Sequence, residues 1–237
     1  MIIVERFHSI QGEGPYLTPA FFVRLGGCNL RCKGFKSTRT LDGVEFVGCD
    51  TIHAVYPEFK KTWIDVPVED LITEMLSKPI KQLIITGGEP TLHMRVVNQP
   101  LLQLINAAKE KGIEVFVETN GTKLVHPIFR ELVRFSVSVK LYGCGENKDK
   151  RIVPVAINQF DERDYFKFVH NGLQRTTNEI KEIIKLNPKL DVYLMPLGDA
   201  IESQIKLLPK IIDICIENNW GISPRMHILA WNGEDKK

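Results

Sequence analysis

Three of the five cysteines, Cys28, Cys32 and Cys49, fall within one 22-residue stretch. Thiolates hold iron–sulfur clusters and zinc, so the stretch is a candidate metal site. Cys28 and Cys32 stand four residues apart, just after an apolar run. A third thiol at short spacing would occupy position 35, but that residue is Phe35. The chain between Cys32 and Cys49 contains Asp42-Gly43 flanked by the β-prone runs 39–41 and 44–47. Asp-Gly between such runs predicts a hairpin. An inserted hairpin-like loop over about 33–48 would return Cys49 to the other two cysteines. Three thiolates would leave one iron of a four-iron cluster open to a substrate or cofactor. Zinc is the alternative: it prefers four ligands, and His53, four residues after Cys49, supplies a fourth. Spacing alone leaves both open. Cys215, in an apolar helical pattern, and Cys144, in Tyr-Gly-Cys-Gly, read as structural.

Alternating strands and helices must position these residues. Strands are predicted at 20–25, 82–86, 114–118, 135–140, 165–169, 192–195 and near 222–229. Helices are predicted from Pro67 through 76, at 100–111, at 127–132, near 177–185 and at 201–218. The alternation predicts an α/β fold of mainly parallel strands with right-handed crossovers. A complete eight-unit barrel typically needs about 250 residues. The expectation is therefore a partial (incomplete) TIM-type barrel of roughly six mainly parallel strands, as one domain over 1–237. Ligands in such folds gather at the carboxyl ends of the strands. Gly26-Gly27-Cys28, Gly87-Gly88-Glu89-Pro90, Thr119-Asn120-Gly121 and Leu197-Gly198-Asp199 all fall there. Arg24, inside the strand AFFVRL, needs a partner if buried: a structural salt bridge or an acidic ligand.

The composition is that of a globular protein, 43% hydrophobic and 25% charged. A formal net charge of +2 does not suggest a nucleic-acid partner. No apolar run approaches the ~20 residues needed to span a bilayer, and the opening residues lack the layout of a secretory signal. A cytoplasmic protein is expected, and the odd cysteine count argues against a disulfide framework.

Several motifs, in order, resemble the radical S-adenosylmethionine (SAM) superfamily and, within it, the 7-carboxy-7-deazaguanine synthase family. Phe7-His-Ser-Ile-Gln-Gly-Glu-Gly14 is similar to that family's substrate loop, and Phe22-Val-Arg-Leu-Gly-Gly-Cys-Asn-Leu-Arg-Cys32 to its strand and cluster loop. Gly48-Cys49-Asp50-Thr51, Ile85-Thr-Gly-Gly-Glu-Pro90 and Val117-Glu-Thr-Asn-Gly-Thr122 follow in register. Ser138-Val-Lys140, Met195-Pro196 and Met226-His227 are weaker matches, the first two standing where the family has Ser-Pro-Lys and Gln-Pro. The cluster spacing departs from the superfamily's Cys-x3-Cys-x2-Cys.

The resemblance implies a [4Fe–4S] cluster on Cys28, Cys32 and Cys49, with SAM on the open iron. It implies a SAM-derived radical that abstracts hydrogen from 6-carboxy-5,6,7,8-tetrahydropterin, which then contracts and loses ammonia. The product is 7-carboxy-7-deazaguanine, a 7-deazapurine and queuosine precursor, and SAM is regenerated. No catalytic side chain beyond the cofactor is implied. Gly48, Asp50, Gly88, Glu89, Ser138, Val139, Lys140, Met195 and Pro196 are the implied SAM contacts, with Gly87 beside them. Ile10, Gln11, Gly12, Glu13, Arg24, Thr86 and His227 are the implied substrate contacts; Arg24 would pair with the pterin carboxylate, and Glu118 would face the same cavity. Thr51 would hold Mg²⁺, which keeps waters and borrows substrate oxygens. A homodimer and an electron donor such as flavodoxin complete the expectation. The rivals are a glycyl-radical-enzyme activase, sharing cluster and SAM, and a non-catalytic zinc-stabilised binding protein.

Overall fold

A computed structural model describes residues 1–34 and 36–232; Phe35 and the last five positions of the expected 1–237 domain lie outside the described residues. The strands are β1 (Ile2–Ile3), β2 (Glu5–Ile10), β3 (Pro19–Leu25), β4 (Ser37–Leu41), β5 (Val44–Gly48), β6 (Ile64–Asp65), β7 (Gln82–Gly87), β8 (Glu114–Thr119), β9 (Arg134–Val137), β10 (Tyr165–His170), β11 (Asp191–Pro196) and β12 (Gly221–Ile222). The helices are α1 (Ile52–Val55), α2 (Val68–Met75), α3 (Gln99–Glu110), α4 (Pro127–Leu132), α5 (Lys148–Arg151), α6 (Pro154–Ile157), α7 (Gln174–Ile184), α8 (Ile201–Asn218) and α9 (Met226–Trp231).

The main sheet has eight strands in the order β12-β11-β10-β9-β8-β7-β3-β2. Every neighbouring pair from β3 through β12 is parallel, and β2 pairs antiparallel on β3 at the edge. The fold is therefore α/β with a mostly parallel sheet laid out in chain order. The antiparallel edge was not predicted, because the motif over 7–14 reads as a loop although its first half forms β2.

Side chains alternate across a strand, and this sorts the sheet into two faces. Phe21, Val23, Leu83, Ile85, Val115, Val117, Phe166 and Phe168 belong to the main apolar core, with Leu71 of α2, Leu104 and Ile105 of α3, Ile180 of α7 and Ile211 of α8. A smaller cluster on the opposite parity holds Ala20, Phe22, Ile84, Phe116 and Tyr165. That parity continues toward the strand ends as Arg24, Thr86, Glu118 and Lys167. These four polar residues are thus presented on the face away from the helices.

Two terminal segments depart from expectation. The strand predicted near 222–229 is β12, two residues long, followed by α9. Pro224, which lacks an N–H for a ladder, follows Ser223, whose amide makes the last bond here, to Leu194 O at 2.8 Å. The strand predicted over 135–140 ends at Val137, so 138–140 leave the sheet as a loop. Pro67, predicted inside the first turn of its helix, stands one position earlier as the N-cap of α2. The other helices lie within a few residues of their predicted spans.

Strands β4 and β5 form an antiparallel hairpin, Leu41 opposite Val44. Asp42 and Gly43 both have positive φ, 50° and 78°. Two such residues make the two-residue turn whose twist matches the flanking strands.

Candidate active site

One cavity of about 530 Å³ opens over the polar face of the sheet. Sixteen of the residues singled out in the sequence line it: Ile10, Gln11, Gly12, Glu13, Arg24, Cys28, Cys32, Cys49, Asp50, Thr51, Thr86, Gly88, Ser138, Lys140, Met195 and His227. Gly87 and Glu118 line it as well. Gly48, Glu89, Val139 and Pro196 do not.

Glu89 is 1% exposed, and its carboxylate is committed to protein donors. One oxygen accepts from Thr91 N (3.0 Å), Thr91 Oγ1 (2.6 Å) and Thr119 Oγ1 (2.7 Å), the other from Asn120 N (2.6 Å). Glu89 ties the end of β7 to the end of β8. Three of these four bonds go to one oxygen, and the other accepts from Asn120 N alone. Val139, also buried, turns away between Ser138 and Lys140, as alternation in an extended segment requires.

A charged network forms the polar side of the cavity. Lys167 Nζ donates to Glu13 Oε2 (2.7 Å) and Glu118 Oε1 (3.1 Å). Thr86 Oγ1 donates to the other Glu118 oxygen at 2.7 Å. Arg225 Nε donates to Glu13 Oε1 (2.9 Å), and its Nη2 to Asp50 Oδ2 (3.0 Å). His227 Nε2 lies 3.8 Å from Glu13. Burial would raise the two glutamates, but Lys167 overcomes it for both, with Arg225 adding for Glu13, and holds them below the usual carboxylate range. Burial would likewise lower Lys167; Glu118 and Glu13 raise it instead. Burial is the main cause lowering His227, against the pull of Glu13. The loop carrying Gln11–Glu13 is fixed from the far end of the chain. Met226 N donates to Gly12 O at 2.9 Å, and a Cβ on Gly12 would stand 2.7 Å from His227 Nδ1.

Arg24 finds its partner across the antiparallel edge. Glu5 is its register partner, and Arg24 Nε donates to Glu5 Oε1 at 2.6 Å. His53 Nε2 approaches the same oxygen at 3.5 Å. Burial works to raise Glu5, but His53 beside it and the Arg24 guanidinium bring it down to about 2. Arg24 still lines the cavity beside Glu5, so the pair is a carboxylate-anchored guanidinium facing it.

The cysteines occupy another side. Cys28, Cys32 and Cys49 are free thiols, partly buried, and all line the cavity. Gly34 lets the hairpin end close on the cysteine loop: a Cβ there would meet Cys49 Cα at 2.4 Å. Cys28 Sγ accepts from Leu30 N at 3.4 Å, with Asn120 Nδ2 at 4.0 Å, and burial pushes its thiol up to about 11. Cys49 Sγ lies 3.4 Å from Thr51 Oγ1. Among the described residues no three His, Cys, Asp or Glu side chains are drawn into a preformed metal cage. The donor set fits an iron–sulfur cluster, which needs three soft thiolates around a body larger than one ion. His53, the fourth ligand a zinc site would want, is turned toward Glu5. The Cys32 and Cys144 side chains are neighbours, and their interaction raises Cys32 and lowers Cys144 to about 6.

The glycine pair at the end of β7, Gly87 and Gly88, makes the close approach that its type allows. A Cβ on Gly87, at φ 145°, would stand 2.0 Å from Leu25 O, and one on Gly88 2.3 Å from Gly27 O. Ser138 and Lys140 follow β9 on the same side, with Lys140 Nζ 3.4 Å from Ser138 Oγ.

Lys167, Arg225 and Glu5 were not singled out in the sequence. Lys167 had a signal: within YFKFVH it shares its parity with Tyr165, which packs in the smaller apolar cluster on the cavity's face of the sheet. Glu5 became visible only through the antiparallel register, and Arg225 only once α9 replaced a predicted strand.

Residues 10–148 match the family model of the 4Fe-4S single cluster domain. That span includes all three cavity cysteines. A 7-carboxy-7-deazaguanine synthase of Hyperthermus butylicus is 31% identical over 96% of this chain and 92% of its own length. Another from Pyrobaculum aerophilum is 29% identical over 97% and 94%, and one from Escherichia coli 28% identical over 95% and 96%. The chain belongs to the 7-carboxy-7-deazaguanine synthase family. In fold it is similar to Streptococcus suis SuiB, solved bound to S-adenosylmethionine, with a TM-score of 0.50 and 15% identity. The likeness covers 86% of this chain and 48% of that one.

Proposed function

We propose that this chain is a radical SAM lyase that converts 6-carboxy-5,6,7,8-tetrahydropterin to 7-carboxy-7-deazaguanine with loss of ammonia. The observation that carries the reading is the pairing, in a member of this family, of three free thiols with an opposed charged network around one cavity. A volume of about 530 Å³ is in the range of small-molecule sites.

Cys28, Cys32 and Cys49 would hold a [4Fe–4S] cluster, and Gly88, Ser138, Lys140 and Met195 would line the place of SAM. When bound, the cluster and SAM supply one-electron cleavage and a carbon radical able to abstract hydrogen. The chain's own residues do the rest. Arg24, anchored by Glu5, offers its remaining N–H donors to a substrate carboxylate. Glu13 and Glu118, kept ionised by Lys167 and Arg225, accept from the amino and amide N–H groups of a pterin edge. Thr86 and His227 bound the same edge. Phe7 and Phe22, stacked with centroids 5.0 Å apart, give the cavity an apolar flank against a planar ring.

The reading extends to Mg²⁺ at Thr51, with Asp50 beside it held by Arg225. It extends to a partial barrel formed by a curved sheet; Phe7 of the edge strand β2 and Met195 of β11, the strand next to the opposite edge, line one cavity and support it. It further takes the chain as one radical SAM domain, cytoplasmic, homodimeric and reduced by a donor such as flavodoxin. No helix among the described residues is long and apolar enough to cross a membrane.

The test is anaerobic turnover. Reduced protein with SAM, Mg²⁺ and the carboxytetrahydropterin is expected to release the deazaguanine acid and ammonia. SAM cleavage without consumption of the pterin would refute the substrate.

A further inference from the structure

Cys144 has no part in that reading, and its surroundings are specific. Its side chain neighbours that of Cys32. The loop that carries it is fastened to the cysteine loop by main-chain contacts. Lys33 N donates to Cys144 O at 2.7 Å, and Arg31 N donates to the Glu146 carboxylate at 2.6 Å. Glu146 N in turn donates to Cys144 Sγ at 3.4 Å. A Cβ on Gly145 would stand 2.9 Å from the Lys33 side chain, so the two loops are in contact. Cys32 lines the cavity and Cys144 does not. Cys32 therefore has one side toward the cavity and another toward a second thiol outside it. Of the other thiols, Cys49 contacts Thr51 and Cys28 contacts the Leu30 amide.

Disulfides need Cα atoms roughly 4.4–6.8 Å apart and thiols that face one another. The Lys33 N–Cys144 O hydrogen bond, one peptide from Cys32 and at Cys144 itself, holds the two cysteines side by side, so that arrangement is within reach without unfolding either loop. We propose that in the cluster-free protein Cys32 and Cys144 form a reversible disulfide, which caps a cluster ligand and must be reduced before a cluster can be built. The proposal rests on the reading of Cys32 as a cluster ligand. The oxidant is a low-molecular-weight disulfide such as oxidised glutathione. One protein thiolate attacks it, forms a mixed disulfide and releases one thiol. The second protein thiolate then displaces the second thiol. Two protein thiols lose two electrons and two protons, and one small disulfide becomes two thiols. A dithiol reductant reverses the exchange.

The experiment uses the full chain stripped of iron without oxygen, then treated with oxidised glutathione. Free thiols are blocked, and the chain is digested without reduction for mass mapping. The expected product is a Cys32–Cys144 cross-link, with iron uptake on reconstitution slowed at least tenfold until dithiothreitol is added. Cys144→Ser is expected to give no such cross-link, to carry glutathione on Cys32, and to take up a full complement of iron when kept reduced. A cross-link from Cys32 to Cys28 or Cys49, or a Cys144 that stays free while Cys32 is oxidised, would overturn the proposal. So would loss of iron from reduced Cys144→Ser, which would make Cys144 a ligand rather than a cap. None of these readouts requires turnover: a protein inert toward the pterin yet cross-linked as described would sink the substrate reading alone.

Discussion

Lys167 Nζ lies 2.7 Å from Glu13 Oε2, joining a β10 side chain that is 4% exposed to a loop 154 residues earlier in the chain. The same ammonium reaches Glu118 at 3.1 Å, so one buried cation holds two half-buried carboxylates. Removing one member of a buried ion pair typically costs about 3–5 kcal/mol, because the partner stays buried without compensation. Lys167→Met is therefore expected to lower unfolding stability by about that amount. It is also expected to raise the KM for the pterin far more than it changes SAM binding. Denaturant unfolding and steady-state kinetics check both halves; unchanged stability and KM would mean the network has no such role.

Glu5 provides a pH signature. Its carboxyl is brought from 4.5 to about 2 in the folded chain, so the folded state favours its ionised form. A depressed carboxylate contributes stability that is present above its unfolded value and lost as the pH falls through the folded value. The contribution, on the order of 3 kcal/mol, should be complete above pH 4.5 and vanish toward pH 2. Thermal unfolding of wild type and Glu5→Gln should differ most at neutral pH and converge toward pH 2.

The cysteines divide by place. Single alanine substitutions at Cys28, Cys32 and Cys49 are expected to abolish iron retention after anaerobic reconstitution. Cys215→Ala, buried on α8 away from the cavity, is expected to keep it. Iron analysis and the broad visible absorbance of an iron–sulfur cluster read the difference. Full iron in Cys49→Ala would reassign the third ligand.

Gly88 separates sterics from backbone conformation, since its φ is not in the left-handed region. An added methyl would meet Gly27 O at 2.3 Å and Ala54 O at 2.9 Å, both main-chain atoms. Gly88→Ala is expected to cost about 1–3 kcal/mol through overpacking and to weaken SAM binding at least tenfold, as read by calorimetry on the reconstituted protein.

How much of this was legible differs between the sheet and the site. Short apolar runs such as 82–86 identify β7 because a fully buried parallel strand has no polar face to interrupt them. The hairpin followed from two residues, Asp42 and Gly43, whose positive φ is a local property. Glu89 reads in the sequence as a ligand-facing carboxylate in a glycine-rich turn, and the sequence does not show what else it holds. Its actual partners, Thr119 and Asn120, come from the next strand, and nothing local announces that contact. Arg24 announced that it needed a partner but not which one, since the choice of Glu5 depends on an antiparallel register formed at the sheet edge. Arg225 was hidden for a similar reason: short apolar stretches do not distinguish a strand from one turn of helix.

The strand order also bears on how the protein acquires its working form. From β3 to β12 the sheet grows by adding each new strand beside its predecessor, so most of it can assemble from the amino-terminal side onward. The Gln11–Glu13 loop, made early, waits for the last helix, whose Met226 amide and Arg225 side chain hold it from more than 200 positions away. Contacts of such sequence separation close slowly. A chain emerging from synthesis should thus have its cysteine loop in place well before its acidic pocket is complete. Metal loading and substrate recognition would then mature at different times in the life of one molecule.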